Sequence, residues 1–287
     1  MSVLTKAIIQ NSIIVSAVET KDIVNKAIKL HNLSPIAAVA LGRALTMAAL
    51  LGKELKNEQD YLTVTIDGGG PLGKITVCSD AVGHVKGYVD NPNLDTILRQ
   101  DGRLDVGTAV GRDGQLTVIK DIGMKQPYVG TSKLISGEIA SDFAYYFATS
   151  EQQPCGVTLG VGLDKRRAKS AGGVFVQVMP NCPSELLFQL ETIMYAMDEM
   201  SYQFDGSTAK EVINRFFGQL EPVFTEEVEI SYKCNCGKRK IDRVVKSLGK
   251  DEANEIVAEI GKVEVCCHFC GKKYAYDQAA IDKLFTK

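Results

Sequence analysis

The sequence predicts an α+β fold, and three features carry that expectation. Between residues 61 and 179, apolar and polar residues alternate with period two in short runs bounded by Gly, Asp and Pro, as in antiparallel strands and hairpins. Helical periodicity is grouped at intervals around those runs, which gives an N-terminal domain of mixed helices and antiparallel sheet. Two cysteine pairs near the C-terminal end then mark a small four-cysteine zinc module of different character. These features divide the chain into an α+β core over 1–183, an acidic, apolar-rich helical linker over 184–230, and a zinc-binding redox-switch module over 231–287.

Residues 3–19 read as one or two strands. Thr20 caps a helix through about Leu30, with Ile23, Val24, Ala27 and Ile28 on one face. Ser34-Pro35 opens a second helix, and its Ala/Leu-rich run to about Lys56 implies burial. Its apolar stretch, Ile36 to Gly52, is interrupted by Arg43 and reads as too short and too charged for a bilayer span. Strands are expected at 61–66, 74–78, 84–89, near 104–110, at 115–121, 127–136, 155–163 and 172–179, with a helix at about 137–149.

Within 287 residues, 45% hydrophobic and 24% charged composition is ordinary for a sizeable globular domain with smaller pieces attached. A net charge of −2 argues against a general nucleic-acid or membrane binder. The first twenty residues alternate like strands and lack a basic leader with a continuous apolar region, so no secretory signal is expected. Eight cysteines without such a signal fit a reducing cytoplasm, where clustered thiols bind metal or sense oxidants.

Several motifs in the core carry no chemistry. Gly68 to Lys74 has the glycine and lysine spacing of a phosphate-binding loop, but Ile75 stands where a Mg2+-binding hydroxyl belongs, and a strand follows instead of a helix. A glycine-rich hairpin turn is the expectation. His31 and His84 are isolated from any nucleophile in sequence. Cys78, Cys155 and Cys182 read as small hydrophobes. No catalytic site is assembled, and the chain reads as a binding protein, not an enzyme.

The chemistry lies in Cys234-Asn-Cys236 and Cys267-His-Phe-Cys270, separated by thirty residues. Two chelating pairs of thiolates form the donor set of a closed tetrahedral Zn2+ site, one ion per chain. Gly237 and Gly271 follow the pairs and allow tight turns that aim N–H groups at sulfur. Lys233, Lys238, Lys272 and Lys273 offset the negative tetrathiolate. Cys266 is placed outside the site because Cys267 to Cys270 has the two-residue spacer and trailing glycine. His268, a spacer residue, is expected to point away. The one-residue spacer of the first pair holds two sulfurs close enough to oxidise to each other, so the site can also be a switch.

Charge is unevenly shared. Residues 184–230 hold ten acidic and two basic side chains, net −8, and residues 231–287 hold twelve basic and eight acidic, net +4. The acidic segment also carries half of the phenylalanines, with helical spacing in Leu187, Leu190, Met194 and Met197 and in Val212, Ile213, Phe216 and Phe217. An ordinary packed helical subdomain accounts for that pattern. A Met- and Phe-rich face is also an adaptable surface for varied partners, and Phe188, Met194, Met197, Phe216 and Phe217 are the candidates for partner contact.

The Tyr232-Lys-Cys-Asn-Cys-Gly237 and Val265-Cys-Cys-His-Phe-Cys-Gly-Lys-Lys-Tyr274 motifs, with the core and linker before them, give a chain that resembles the 33 kDa chaperonin family over its full length. The resemblance implies a redox-regulated, ATP-independent holdase that is inactive when reduced and zinc-bound. It implies Cys234–Cys236 and Cys267–Cys270 disulfides on oxidation, zinc release, disorder of the linker, binding of unfolded proteins and homodimerisation. Cys266 is an additional thiol next to the second pair, open to exchange. A zinc-ribbon nucleic-acid module is the competing reading, from the basic run Lys238 to Arg243. That run has no interleaved aromatics, and the acidic neighbour would repel phosphate. A thiol oxidoreductase using Cys267 and Cys270 would need a metal-free βαβ context that the pattern lacks.

Overall fold

The computed structural model describes residues 1–197 and 200–286, so Asp198 and Glu199 of the acidic segment and Lys287 lie outside the described residues. The chain divides into two compact units, Met1–Lys233 and Cys234–Lys287.

The first unit contains, in chain order, β1 (Ser2–Ile9), β2 (Ile13–Glu19), α1 (Lys21–His31), α2 (Pro35–Gly52), β3 (Tyr61–Asp67), β4 (Ile75–Asp80) and β5 (His84–Val89). There follow α3 (Val106–Val110), β6 (Gln115–Asp121), β7 (Tyr128–Lys133), α4 (Ala140–Tyr146), β8 (Cys155–Asp164) and β9 (Arg167–Val178). The unit closes with α5 (Ser184–Ala196), α6 (Met200–Gln203), α7 (Ala209–Phe217) and β10 (Val223–Tyr232).

Among the described residues the strands form one ten-stranded sheet in the order β7-β6-β3-β4-β5-β10-β1-β2-β9-β8. Neighbours are antiparallel except β10 and β5, which pair in parallel at Ser231–His84 and Tyr232–Val85. One face rests on α2, an 18-residue helix that is 89% buried. In length and composition this helix would suffice to cross a membrane, which corrects the reading of it as too short and too charged; its place is the core, where it packs on strands from both halves of the sheet. Arg43, the charge in that helix, is accommodated because its Nη1 donates to the Glu138 carboxylate at 2.7 Å.

The opposite face of β1, β2 and β9 presents Ala7, Ile9, Ile13, Val15, Val174 and Val176. It is covered by Leu186 and Leu190 of α5, Met200 of α6, and Val212, Ile213 and Phe217 of α7. The start of α7 has a local cause. Thr208 accepts from the Glu211 N–H at 3.2 Å while Glu211 Oε2 accepts from the Thr208 N–H at 2.8 Å, a reciprocal cap. Glycines on β8 and β9 allow the cover to approach closely: a Cβ at Gly172 would lie 2.5 Å from the Phe204 ring, and one at Gly156 would lie 2.6 Å from the Met194 methyl.

Three local expectations are revised. Residues near 104–110 form the short helix α3 instead of a strand, because the Asp105 carboxylate accepts the Thr108 N–H at 2.9 Å and Gly111 at φ +86° stops the turn. The helix expected over 137–149 begins at Ala140 and passes into a π-turn over Phe147–Glu151. Residues 223–232, which run from the end of the 184–230 segment expected to be helical into the 231–287 module, add strand β10 to the middle of the sheet. The Gly68–Gly73 loop is the hairpin connection expected, and it needs glycine because Cβ atoms at Gly68 and Gly70 would collide with the backbone around Gly111.

The second unit contains α8 (Lys238–Leu248), α9 (Lys250–Ile260), β11 (Val263–Cys266), β12 (Lys273–Tyr276) and α10 (Gln278–Phe285). Its core is small: Ile241, Val245, Ala253, Val257, Val263, Tyr276 and Ile281.

Asp142 is fully buried and accepts from the N–H groups of Ile135, Ser136 and Ile139 at 2.8–2.9 Å and from the Ser136 hydroxyl at 3.2 Å. Leaving those donors unmatched should cost about 2–4 kcal/mol. Asp142→Ala is therefore expected to lower the urea midpoint of the first unit's transition at unchanged slope; an unaltered midpoint would show that the loop finds other acceptors.

Candidate metal centre

The hairpin of β11 and β12 presents one thiol pair, and the segment that precedes α8 presents the other. Cys266 pairs with Lys273 at the end of the hairpin. Beyond it the chain turns through Cys267–Cys270, with the Cys270 N–H donating to the Cys267 carbonyl at 3.2 Å and the Gly271 N–H to the same carbonyl at 2.8 Å. Gly271 takes φ +68°, the left-handed conformation that glycine adopts without penalty, and the Cys267 N–H closes the loop onto the Lys272 carbonyl at 3.0 Å. Cys234 and Cys236 come from the extended stretch before Gly237, the N-cap of α8.

The sulfurs of Cys234, Cys236, Cys267 and Cys270 all lie within 4.8 Å of one another. Cys234 and Cys267 are 3.7 Å apart, and Cys236 and Cys270 are 3.4 Å apart. A tetrahedron with metal–sulfur arms of about 2.3 Å has edges of about 3.8 Å, so the thiols fit around one ion. The separations exceed the roughly 2.05 Å of a disulfide, and all four cysteines are free. Cys266 is exposed and stands outside this group, as does His268.

Burial pushes the Cys234 and Cys270 thiols up. Cys236 goes the other way: burial acts to raise it, but hydrogen bonds from Tyr274, Cys270, Cys234 and Cys267 outweigh that effect and bring it down to about 7. The Tyr274 hydroxyl donates to Cys236 Sγ at 3.4 Å, and this bond raises the phenol to about 12. A thiolate can thus form on Cys236 near neutral pH, held by its neighbours' S–H groups and a phenol, while burial keeps Cys234 and Cys270 protonated.

The client-contact candidates are distributed unevenly in the first unit. Met197 and Phe217 are buried in the apolar layer between helices and sheet, and Met194 and Phe216 pack at its margin. Phe188 is 71% exposed on α5. Tyr195 and Tyr202, absent from the candidates, are more or similarly exposed at 91% and 68%. His84 is held by Asp80 at 3.0 Å, and His31 lies 3.2 Å from the Tyr232 hydroxyl.

The fold and the thiol cluster define an α+β protein with a separate small unit built to take a metal. The family model described as Hsp33 protein matches residues 2–277. A 33 kDa chaperonin of Alkaliphilus oremlandii is 43% identical over 96% of this chain and 92% of its own, and one of Caldanaerobacter subterraneus is 40% identical over 97% and 95%. The crystal structure of the 33 kDa chaperonin (heat shock protein 33 homolog) of Thermotoga maritima superposes with a TM-score of 0.91 at 34% identity, covering 99% of this chain and 97% of that one. The chain belongs to the Hsp33 family of chaperones.

Outside the metal centre, burial pushes the Cys155 thiol up to about 12. Its folded pKa stands above the unfolded value of about 8.5, so its contribution to stability is complete below that pH and declines as pH rises toward 12. In the native protein at pH 8, Cys155 is expected to be alkylated by iodoacetamide far more slowly than Cys266; equal rates in peptide mapping would contradict the protected thiol.

Proposed function

We propose that this protein is an ATP-independent holdase of the cytoplasm, kept inactive by Zn2+ on Cys234, Cys236, Cys267 and Cys270 and activated when those cysteines are oxidised. The observation that carries this reading is the convergence of four thiols in a unit with a small apolar core. A core in that size range supplies only about 3–5 kcal/mol, whereas zinc in such a site contributes on the order of 10–16 kcal/mol. The fold of residues 234–287 then depends on the oxidation state of sulfur.

Each pair, Cys234–Cys236 and Cys267–Cys270, loses two electrons to form one S–S bond. Hydrogen peroxide accepts those electrons with two protons and becomes two waters. Two disulfides leave no thiolate donors, so the metal has no site and the unit unfolds. Cys234 follows Lys233 directly, and the unfolding is proposed to loosen the helices α5 to α7 as well. Loosening would uncover Met197 and Phe217 together with the sheet face of Ile9, Ile13, Val15, Val174 and Val176 that they cover. An apolar surface of this kind binds partly unfolded chains by burying their apolar side chains. The activated form is proposed to be a homodimer, and the acidic character of 184–230 to keep it in solution and away from nucleic acid.

The test compares reduced, zinc-loaded protein with oxidised, metal-free protein in suppressing aggregation of a denatured client. Suppression should be confined to the oxidised form, and equal suppression by both would end the switch. Light scattering should show the oxidised form doubled in mass. Cys234→Ser should weaken zinc retention and raise protease cleavage within 184–222; unchanged cleavage with zinc lost would break the proposed coupling.

A further inference from the structure

A groove of about 400 Å³ lies in the second unit between α8 and α10. Arg239, Arg243 and Lys246 of α8 and Lys283 of α10 line it, over an apolar floor of Ala280 and Leu284. None of these residues belongs to the thiol cluster, and the groove is wholly within Cys234–Lys287.

Helical spacing sets the row of charge. Arg239, Arg243 and Lys246 stand at i, i+4 and i+7, on one face of α8, and span about 10 Å of helix axis. These three residues and Lys283 are all exposed. Among the described residues, the ion pairs of this unit are those of Glu264 with Lys262 and Lys273, both at 3.0 Å, so the groove's cations are unpaired. The single carboxylate in the lining, Asp242, accepts the Tyr276 hydroxyl on its Oδ1 at 2.7 Å. Helix α8 also opens on Lys238 and Arg239 with no acid in its first turn, against the preference of a helix N-terminus for negative charge. Lys238 lies two residues past Cys236 and can answer a thiolate there; Arg243, Lys246 and Lys283 stand farther along the chain from any thiol. Ala280 and Leu284 are half-buried against the unit's small core and keep part of their apolar surface toward the groove. Like charges gathered along one groove repel each other, and a bound anion relieves that repulsion.

We propose that this groove docks a short acidic segment of another protein, its carboxylates received by Arg239, Arg243, Lys246 and Lys283 and an apolar side chain seated on Ala280 and Leu284. Guanidinium groups take carboxylates with paired, charge-assisted hydrogen bonds, and complementary charge steers the encounter. The apolar floor favours a peptide over a bare phosphate. Nucleic acid would need open aromatic rings for its bases, and Tyr276, the one aromatic side chain in the lining, is only 3% exposed. The groove is separate from the surface that the thiol switch is proposed to uncover, so its failure as a site would leave that reading intact.

The test titrates a fluorescein-labelled peptide, glutamates around a central leucine pair, with the reduced, zinc-loaded full chain at physiological ionic strength. Saturable fluorescence anisotropy is expected. Peptides with glutamine in place of glutamate, or alanine in place of leucine, should bind about fivefold more weakly or worse. Arg243→Ala and Lys283→Ala, at exposed positions that do not threaten the fold, should each weaken binding about threefold to tenfold. Lys262→Ala, in the same unit but outside the groove, should leave it unchanged. Absence of saturable binding, equal affinity for the glutamine or alanine peptide, unaltered affinity in both groove variants, loss in Lys262→Ala, or tighter binding of single-stranded DNA of equal charge would overturn the proposal.

Discussion

The second unit depends on an electrostatic constraint: four thiols within 4.8 Å cannot all ionise together without a cation among them. The opposed tendencies of Cys236, brought down, and of Cys234 and Cys270, pushed up, are the protonated cluster's response to that constraint. A metal ion bound there would remove the conflict and would tie the N-terminal edge of α8 to the β11–β12 hairpin through bonds far stronger than the contacts of a small core. With such an ion bound, the assembly would be chemically conditional, because any reaction that consumes thiolate would consume the ties. A purely apolar core of equal strength would have no such sensitivity.

The first unit is held together differently. Its sheet is buried on one side by α2 and covered on the other, over β1, β2 and β9, by α5 to α7. The two covers differ in kind. Helix α2 is apolar around its circumference except at Arg43, in keeping with its place in the core. The outer helices are amphipathic or short, expose Phe188, Tyr195 and Tyr202, and lie partly on glycines.

Much of this was legible in the sequence. Period-two runs located the strands of the first unit apart from β10, and Ser34-Pro35 located the start of α2, because these signals are local. The short β11–β12 hairpin of the second unit was not foreseen. The clustering of the four thiols was legible too, since chelate spacing constrains geometry directly: Cys266 fell outside and Cys267 inside, as the trailing Gly271 implied. Tyr274 was missed as a donor to Cys236, although its position two residues past Lys272 on the returning strand was a usable signal. Residues 104–110 misled because Leu104, Val106 and Val110 suit a strand, and only the Asp105 cap favours a helix. Strand β10 was missed because its partners, β1 and β5, lie far away in sequence, and pairing over that distance leaves no local trace. The pairing of Arg43 and Arg99 with Glu138 was illegible for the same reason.

Strand β10 has neighbours on both edges, β1 and β5, and β9 is likewise flanked by β2 and β8. Anything that peels away between them, residues 179–222, is pinned at both ends. It would be a loop of chain and not a free tail, able to wander about 35–40 Å in root-mean-square reach as a flexible coil. A polypeptide held by such a loop would accordingly stay at high effective concentration beside the strands, and the same two anchors would keep the loop within reach of its place on the sheet.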